Sequence, residues 1–237
     1  MVYLVVEGSL TVRESICYLL LAFGIRGVPV GNRKAAREAL AQGDAIDGAI
    51  IDIDNKEVDG ISLISDLKGT ESTRGISVIV HTIQTSKDFV MRMVDLGVAG
   101  YLLKPFDPDK AKAKLAAIFS KLATHNSQRR HIRIKPNADE LARVSFRIGR
   151  SKQLTSGRIV DISLGGMAAE LFNPQESDAI SQGTALSRME ISLAGKVLSP
   201  SASVVLYKSS VLAVRFDILN PADKKTLERY IFKSISS

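Results

Sequence analysis

The chain has 237 residues, enough for two domains of ordinary size, with 45% hydrophobic and 24% charged residues and a net charge of +7. No apolar run approaches the roughly 20 residues that span a bilayer, and Met1 to Val6 is interrupted by Glu7 before it resembles a signal peptide. The single Cys17 excludes a disulfide within the chain and points to a reducing cytoplasm. Charge is unevenly placed: residues 1–124 carry 15 Lys+Arg against 15 Asp+Glu, and residues 125–237 carry 17 against 10. An anionic partner is therefore expected for the second half.

Val2 to Val6, Ala49 to Ile51 and Ile76 to Val80 are continuous apolar runs, which suit strands covered on both faces. Between them lie helical patterns. Ser9 caps one that places Val12, Ile16, Leu20 and Phe23 on one side and closes at Gly24. Others cover Ala35 to Leu40, Ile61 to Leu67, Lys87 to Leu96 behind Ser86, and Asp107 to Leu122. Strands alternating with helices predict a parallel sheet with helices on both faces, and chemistry in such sheets gathers at the carboxyl ends of the strands. Those ends read Glu7-Gly8, Asp52, Thr82 and Lys104-Pro105-Phe106.

Two acids, a hydroxyl and a lysine at those ends, with Asp59-Gly60 following Asp52 at a fixed distance, resemble the receiver domain of response regulators. The resemblance implies a flavodoxin-like, doubly wound α/β domain over residues 1–123. It implies Asp52 as phospho-acceptor, Thr82 as switch hydroxyl, Tyr101 as switch aromatic and Lys104 as phosphate contact, with a histidine kinase as partner. It also implies a Mg²⁺ site drawn from Glu7, Asp52 and Asp54. The chain departs from the family where a second acid follows the first strand, because Gly8 stands there, and where Asn55-Lys56 replaces Met-Pro. Losing a carboxylate weakens a Mg²⁺ site. Asp54 and the longer Glu7 are the residues available to compensate. The alternative is a pseudo-receiver in which Lys104 and Asp52 form a structural ion pair and Tyr101 simply packs.

Residues 124–133 read as a linker: the polar run Thr124 to Gln128, then Arg129-Arg130-His131-Ile132-Arg133. Guanidinium groups are planar forks that grip phosphate through two hydrogen bonds and pair with the O6/N7 edge of guanine. Beyond the linker, Ala142, Val144, Phe146 and Ile148 alternate with polar and basic residues, predicting a strand with one dry face. Gly157 to Ile162, Met189 to Leu193, Ser203 to Tyr207 and Leu212 to Phe216 add short strands, which suit a closed barrel. Asn220-Pro221 starts a closing helix whose apolar face holds Leu227, Tyr230 and Ile231. Asp161-Ile162-Ser163-Leu164-Gly165-Gly166 reads as a turn ending a strand: Asp161 can accept from guanine N–H groups, and Ser163 can donate to a phosphate or cap the turn. The glycines would let backbone approach a ligand.

Arg-x-x-x-Arg followed by Asp-x-Ser-x-x-Gly, with Ala213-Val214-Arg215-Phe216 before the last helix, resembles the PilZ family. The resemblance implies an all-β, six-stranded-type barrel with a C-terminal helix over residues 134–237. It implies no enzyme activity, and binding of cyclic di-GMP through Arg129, Arg130, Arg133, Asp161, Ser163 and Gly166. The expected function is thus a cyclic di-GMP effector of two-component and second-messenger signalling, in which ligand binding changes the interdomain arrangement and the receiver modulates the response. The alternative is a non-catalytic adaptor with a pseudo-receiver that docks onto a downstream protein. Nucleic acid is disfavoured as a partner, with 5% aromatic residues, no Trp and no nucleic-acid module.

Overall fold

Val2–Val6 (β1) is rich in β-branched side chains, and its Leu4, Val5 and Val6 are fully buried, as in a strand covered on both faces. The computed structural model describes residues 1–42, 45–122, 131–137, 139–148, 154–173 and 180–236. These fall into two compact units, Met1–Arg130 and His131–Ser237.

In the first unit β1 is followed by β2 (Arg26–Val30), β3 (Gly48–Asp52), β4 (Ser77–Thr82) and β5 (Gly100–Leu103), all parallel, in the order β2-β1-β3-β4-β5. Helices α1 (Leu10–Leu21), α2 (Arg33–Ala41), α3 (Gly60–Gly69), α4 (Lys87–Asp95) and α5 (Pro108–Leu122) connect them. This is the expected doubly wound α/β receiver fold. The helix starts are local chemistry: the side chains of Ser9, Asn32 and Ser86 accept from the amides of Val12, Ala35 and Phe89, satisfying donors that the first turn leaves open. β3 is buried along its whole length, so its last residue, Asp52, is held at the sheet's carboxyl edge by an apolar strand.

The second unit contains β6 (Arg143–Ile148), β7 (Leu154–Ser163), β8 (Gly166–Leu171), β9 (Ala185–Leu193), β10 (Lys196–Leu198), β11 (Ser201–Lys208), β12 (Val211–Ile218) and α6 (Pro221–Ser236). The strands run in the order β10-β9-β11-β12-β8-β7-β6, and β6 pairs back onto β9. Six antiparallel strands therefore close into a barrel, and β10 is an added hairpin arm on β9. Val144, Phe146, Ile159, Ile162, Leu212 and Val214 fill the interior. The Asn220 side chain accepts from the Asp223 amide at 2.9 Å to start α6, which buries Leu227 and Ile231.

Several strands escape the sequence pattern, among them β2, whose Arg26-Gly27-Val28-Pro29-Val30 has no apolar run. Gly166, the last residue of the turn read above, is the first of β8, whose first four positions are all buried with no alternation to reveal a strand. β10 is three residues long, too short for a period to show.

Candidate functional sites

The parallel strands of the first unit bring Glu7, Asp52, Thr82 and Lys104 to one edge. Asp52 is 2% exposed and receives the Lys104 ammonium at 2.6 Å on Oδ1. Burial alone would lower the Lys104 pKa, but the hydrogen bond and charge of Asp52, helped by Glu7 and Asp54, raise it above its ordinary value. Asp54 lies beside this pair. Its Oδ1 accepts from the Thr82 hydroxyl at 3.0 Å, its Oδ2 accepts from the Ile83 amide at 2.8 Å, and Lys104 Nζ stands 3.4 Å from Oδ2. The Asp54 amide donates to Asp52 Oδ1 at 3.0 Å. Tyr101 is half-buried, packs against the core, and carries Lys114 Nζ 4.5 Å from its ring centre.

Glu7 turns to a partner that the sequence pattern does not announce. His81, in β4, lies 2.8 Å from Glu7 Oε2 through Nδ1, and the Ser9 amide donates to Oε1 at 3.0 Å. Both side chains of the Glu7–His81 pair are buried. The sequence signal is a histidine directly after the apolar run Val78-Ile79-Val80 of β4.

The carboxylates of the expected metal set, Glu7, Asp52 and Asp54, each have a protein partner. Glu7 is committed to His81, Asp52 to Lys104, and Asp54 to Thr82 and Ile83. At Gly8 a Cβ would stand 2.2 Å from the Asn55 side-chain nitrogen, so the two departures from the family pattern fit one another: Asn55 fills the space beside Gly8. Among the described residues no group of three ligating side chains is placed to hold a metal ion.

Burial raises the Glu7 pKa, but the His81 hydrogen bond, the Ser9 amide and the charges of His81 and Lys104 outweigh it and hold the carboxyl below its ordinary value of 4.5. A depressed carboxyl pKa contributes stability that is fully present above the unfolded value and is lost as pH falls through the folded one. The melting temperature of the first unit should therefore fall as pH drops below 4.5. Glu7→Gln should flatten that slope without removing it, because Asp66, bonded by Arg33 and Arg37, is also held low. An unchanged slope in Glu7→Gln, followed by calorimetry across pH, would count against the assignment.

In the second unit a bridge joins the two motifs. Ile134 N donates to Ile162 O at 2.9 Å, and Ile162 N donates back to Ile134 O at the same distance. This seats the Arg133 segment along β7. Thr155, Gly157 and Ile159 face inward, and an unbroken period of two would carry Asp161 into the core with them. Instead the register of β7 against β8 shifts between Ile159 and Asp161. This bulge leaves Val160 as the extra residue, sends Ile162 into the core and turns Asp161 outward. There Arg133 Nη1 lies 3.4 Å from Asp161 Oδ1, with the arginine side chain 52% exposed.

Ser163 and the glycines have inward duties. The Ser163 hydroxyl donates to Gly166 O at 3.1 Å and accepts from the Gly165 amide at 3.3 Å, so of its two anticipated roles the structure places it in the turn. A Cβ on Gly166 would stand 2.1 Å from the Val214 carbonyl oxygen of β12, so this glycine allows strand to approach strand. A Cβ on Gly165 would stand 2.5 Å from the His131 ring, which packs there. Arg129 and Arg130 lie outside the described residues. Arg158 pairs with Glu170 of the neighbouring strand at 3.5 Å.

A family model described as the response regulator receiver domain matches residues 3–116, and one described as the PilZ domain matches residues 127–233. Chemotaxis protein CheY-3 of Vibrio cholerae is 27% identical over 120 residues, covering 50% of this chain and 92% of that protein. The solved PilZ domain of YcgR from Escherichia coli with c-di-GMP is 20% identical and covers 46% of this chain and 92% of that one, with a TM-score of 0.40. The response regulator CheY4 of Vibrio cholerae is 21% identical and covers 49% of this chain and 97% of that one, with a TM-score of 0.44. Each of these relatives corresponds to about half of this chain.

Proposed function

The chain belongs to the response regulator receiver family in its first half and to the PilZ family in its second, and from that premise we propose that it is a cyclic di-GMP effector acting in the cytoplasm. Receiver and PilZ domains are binding and regulatory modules, and no helix among the described residues is long and apolar enough to cross a membrane. The observation that carries the reading is the Ile134–Ile162 bridge, which sets Arg133 against Asp161 on an outward face of the barrel. An arginine fork suits phosphate or the O6/N7 edge of guanine, and a carboxylate beside it suits guanine's N–H donors. The YcgR domain named above was solved with the same dinucleotide, which supports the choice of ligand.

In the proposed complex Arg133 leaves its weak pairing with Asp161 to hold phosphate or base, Asp161 accepts from guanine, and Arg129 and Arg130 complete the basic grip. Ser163 and Gly166 act by holding the β7–β8 turn in shape. Because the arginines follow directly on the segment that joins the two units, ligand binding changes how the units are arranged. Any coupling to a kinase or other partner at the receiver is reciprocal, altering dinucleotide affinity by the factor that the dinucleotide alters the partner's.

Calorimetric titration of cyclic di-GMP into the full chain tests this. Micromolar or tighter binding is expected, together with a change in the small-angle scattering profile. Absence of heat at millimolar ligand would overturn the effector reading and favour the adaptor. That second reading draws on one observation of its own, the commitment of Glu7, Asp52 and Asp54 to protein partners in the receiver half.

A further inference from the structure

Three donors converge beside Asp52: the Thr82 hydroxyl, the Ile83 amide and the Lys104 ammonium. They are what a phosphoryl group attached to Asp52 would require, since it brings close to two negative charges and three strong acceptor oxygens. All three already face one anion. The Asp54 carboxylate accepts from Thr82 at 3.0 Å and from Ile83 at 2.8 Å, and lies 3.4 Å from Lys104 Nζ. Lys104 is shared with Asp52 Oδ1 at 2.6 Å, and the Asp54 amide donates to that same oxygen, so the two carboxylates are tied into one unit.

We infer that Asp54 is a resident stand-in for the phosphoryl group, holding Thr82 and Ile83 in the arrangement that a phosphorylated Asp52 would otherwise impose. A carboxylate has two acceptor oxygens with room for about four donors, so it can satisfy the set without help. Its charge opposes the approach of a second anion. The surroundings agree with a seat that needs no phosphate: Gly8 lacks a carboxylate, Asn55 fills the space beside it, and Glu7 is turned to His81. Asp54 is thus a positioning residue that fixes the donors and decides whether Asp52 can carry a phosphoryl group. The inference concerns the receiver unit and stands whether or not the barrel binds the dinucleotide.

The test uses the full chain with beryllium fluoride as a phosphoryl probe, magnesium being supplied, and reads the Ile83 amide resonance and the fluorine signal of protein-bound probe. In the wild type the Ile83 amide proton should already resonate far downfield, as for a bond to a charged acceptor, and neither signal should change on adding the probe. Asp54→Ala should shift that resonance upfield and gain a bound fluorine signal, which in turn returns the amide downfield. Asp54→Asn keeps the shape and one acceptor oxygen, so it serves if the alanine variant does not fold and should shift the amide in the same direction by less. An Ile83 resonance insensitive to either substitution would overturn the inference, as would wild-type uptake equal to that of the variant or no uptake by the variant.

Discussion

Arg133→Ala and Asp161→Ala should each abolish most of the affinity for cyclic di-GMP while leaving the fold intact. A well-placed bidentate arginine contact to guanine is worth about 1–3 kcal/mol, which corresponds to roughly a 5- to 150-fold loss in affinity for each variant. The structural cost of the same changes is small. Arg133 is 52% exposed and its pairing with Asp161 spans 3.4 Å, so the ion pair contributes on the order of 0–1 kcal/mol to stability. Calorimetry and thermal melting on the same preparations separate the two effects. Weakened binding with an unshifted melting temperature is the expected pattern. Full affinity in both variants would remove these residues from the site, whatever the wild type binds.

Gly166→Ala should do the reverse, destabilising the barrel and affecting binding only through the folded fraction. The added Cβ would stand 2.1 Å from the Val214 carbonyl oxygen and 3.1 Å from the Arg215 Cα, both backbone atoms of a paired strand. No rotamer change can relieve that contact. β8 and β12 must separate where Arg215 faces Gly166 and Val214 faces Met167, and the bond from the Phe216 amide to Gly165 O at 3.0 Å lies next to the strain. Overpacking of this kind costs about 3 kcal/mol. For a domain of roughly 100 residues that lowers Tm by on the order of 10–20 °C. A variant that melts like the wild type but no longer binds would return Gly166 to the ligand contact that its motif suggests.

These two predictions separate residues that the motif alone treats alike. Asp161, Ser163 and Gly166 stand in one short run, yet one faces solvent, one holds a turn and one lets two strands meet. The difference comes from the bulge at Val160, which breaks the inward alternation of Thr155, Gly157 and Ile159 one residue before Asp161. Without it the same sequence would bury the carboxylate.

Much was determined by the sequence itself. Apolar strands covered on both faces, alternating with capped helices, dictate a parallel sheet, and the ends of those strands name Asp52 and Lys104, which pair, and Thr82, which bonds Asp54 beside them. The Ser9 and Ser86 caps are local hydrogen bonds, legible because donor and acceptor lie within one turn. The arginine run and the Asp-x-Ser-x-x-Gly run are likewise visible as composition and spacing. The tertiary structure decided what no local pattern encodes. Glu7 meets His81 across 74 residues of chain, and Asp54 reaches Thr82 and Ile83 at the end of a neighbouring strand. Gly166 is constrained by Val214 because closing six strands into a barrel brings β8 against β12. Periodicity specifies which face of an element is buried, but the partner buried against it is set by strand order and register, and these exist only in the folded chain.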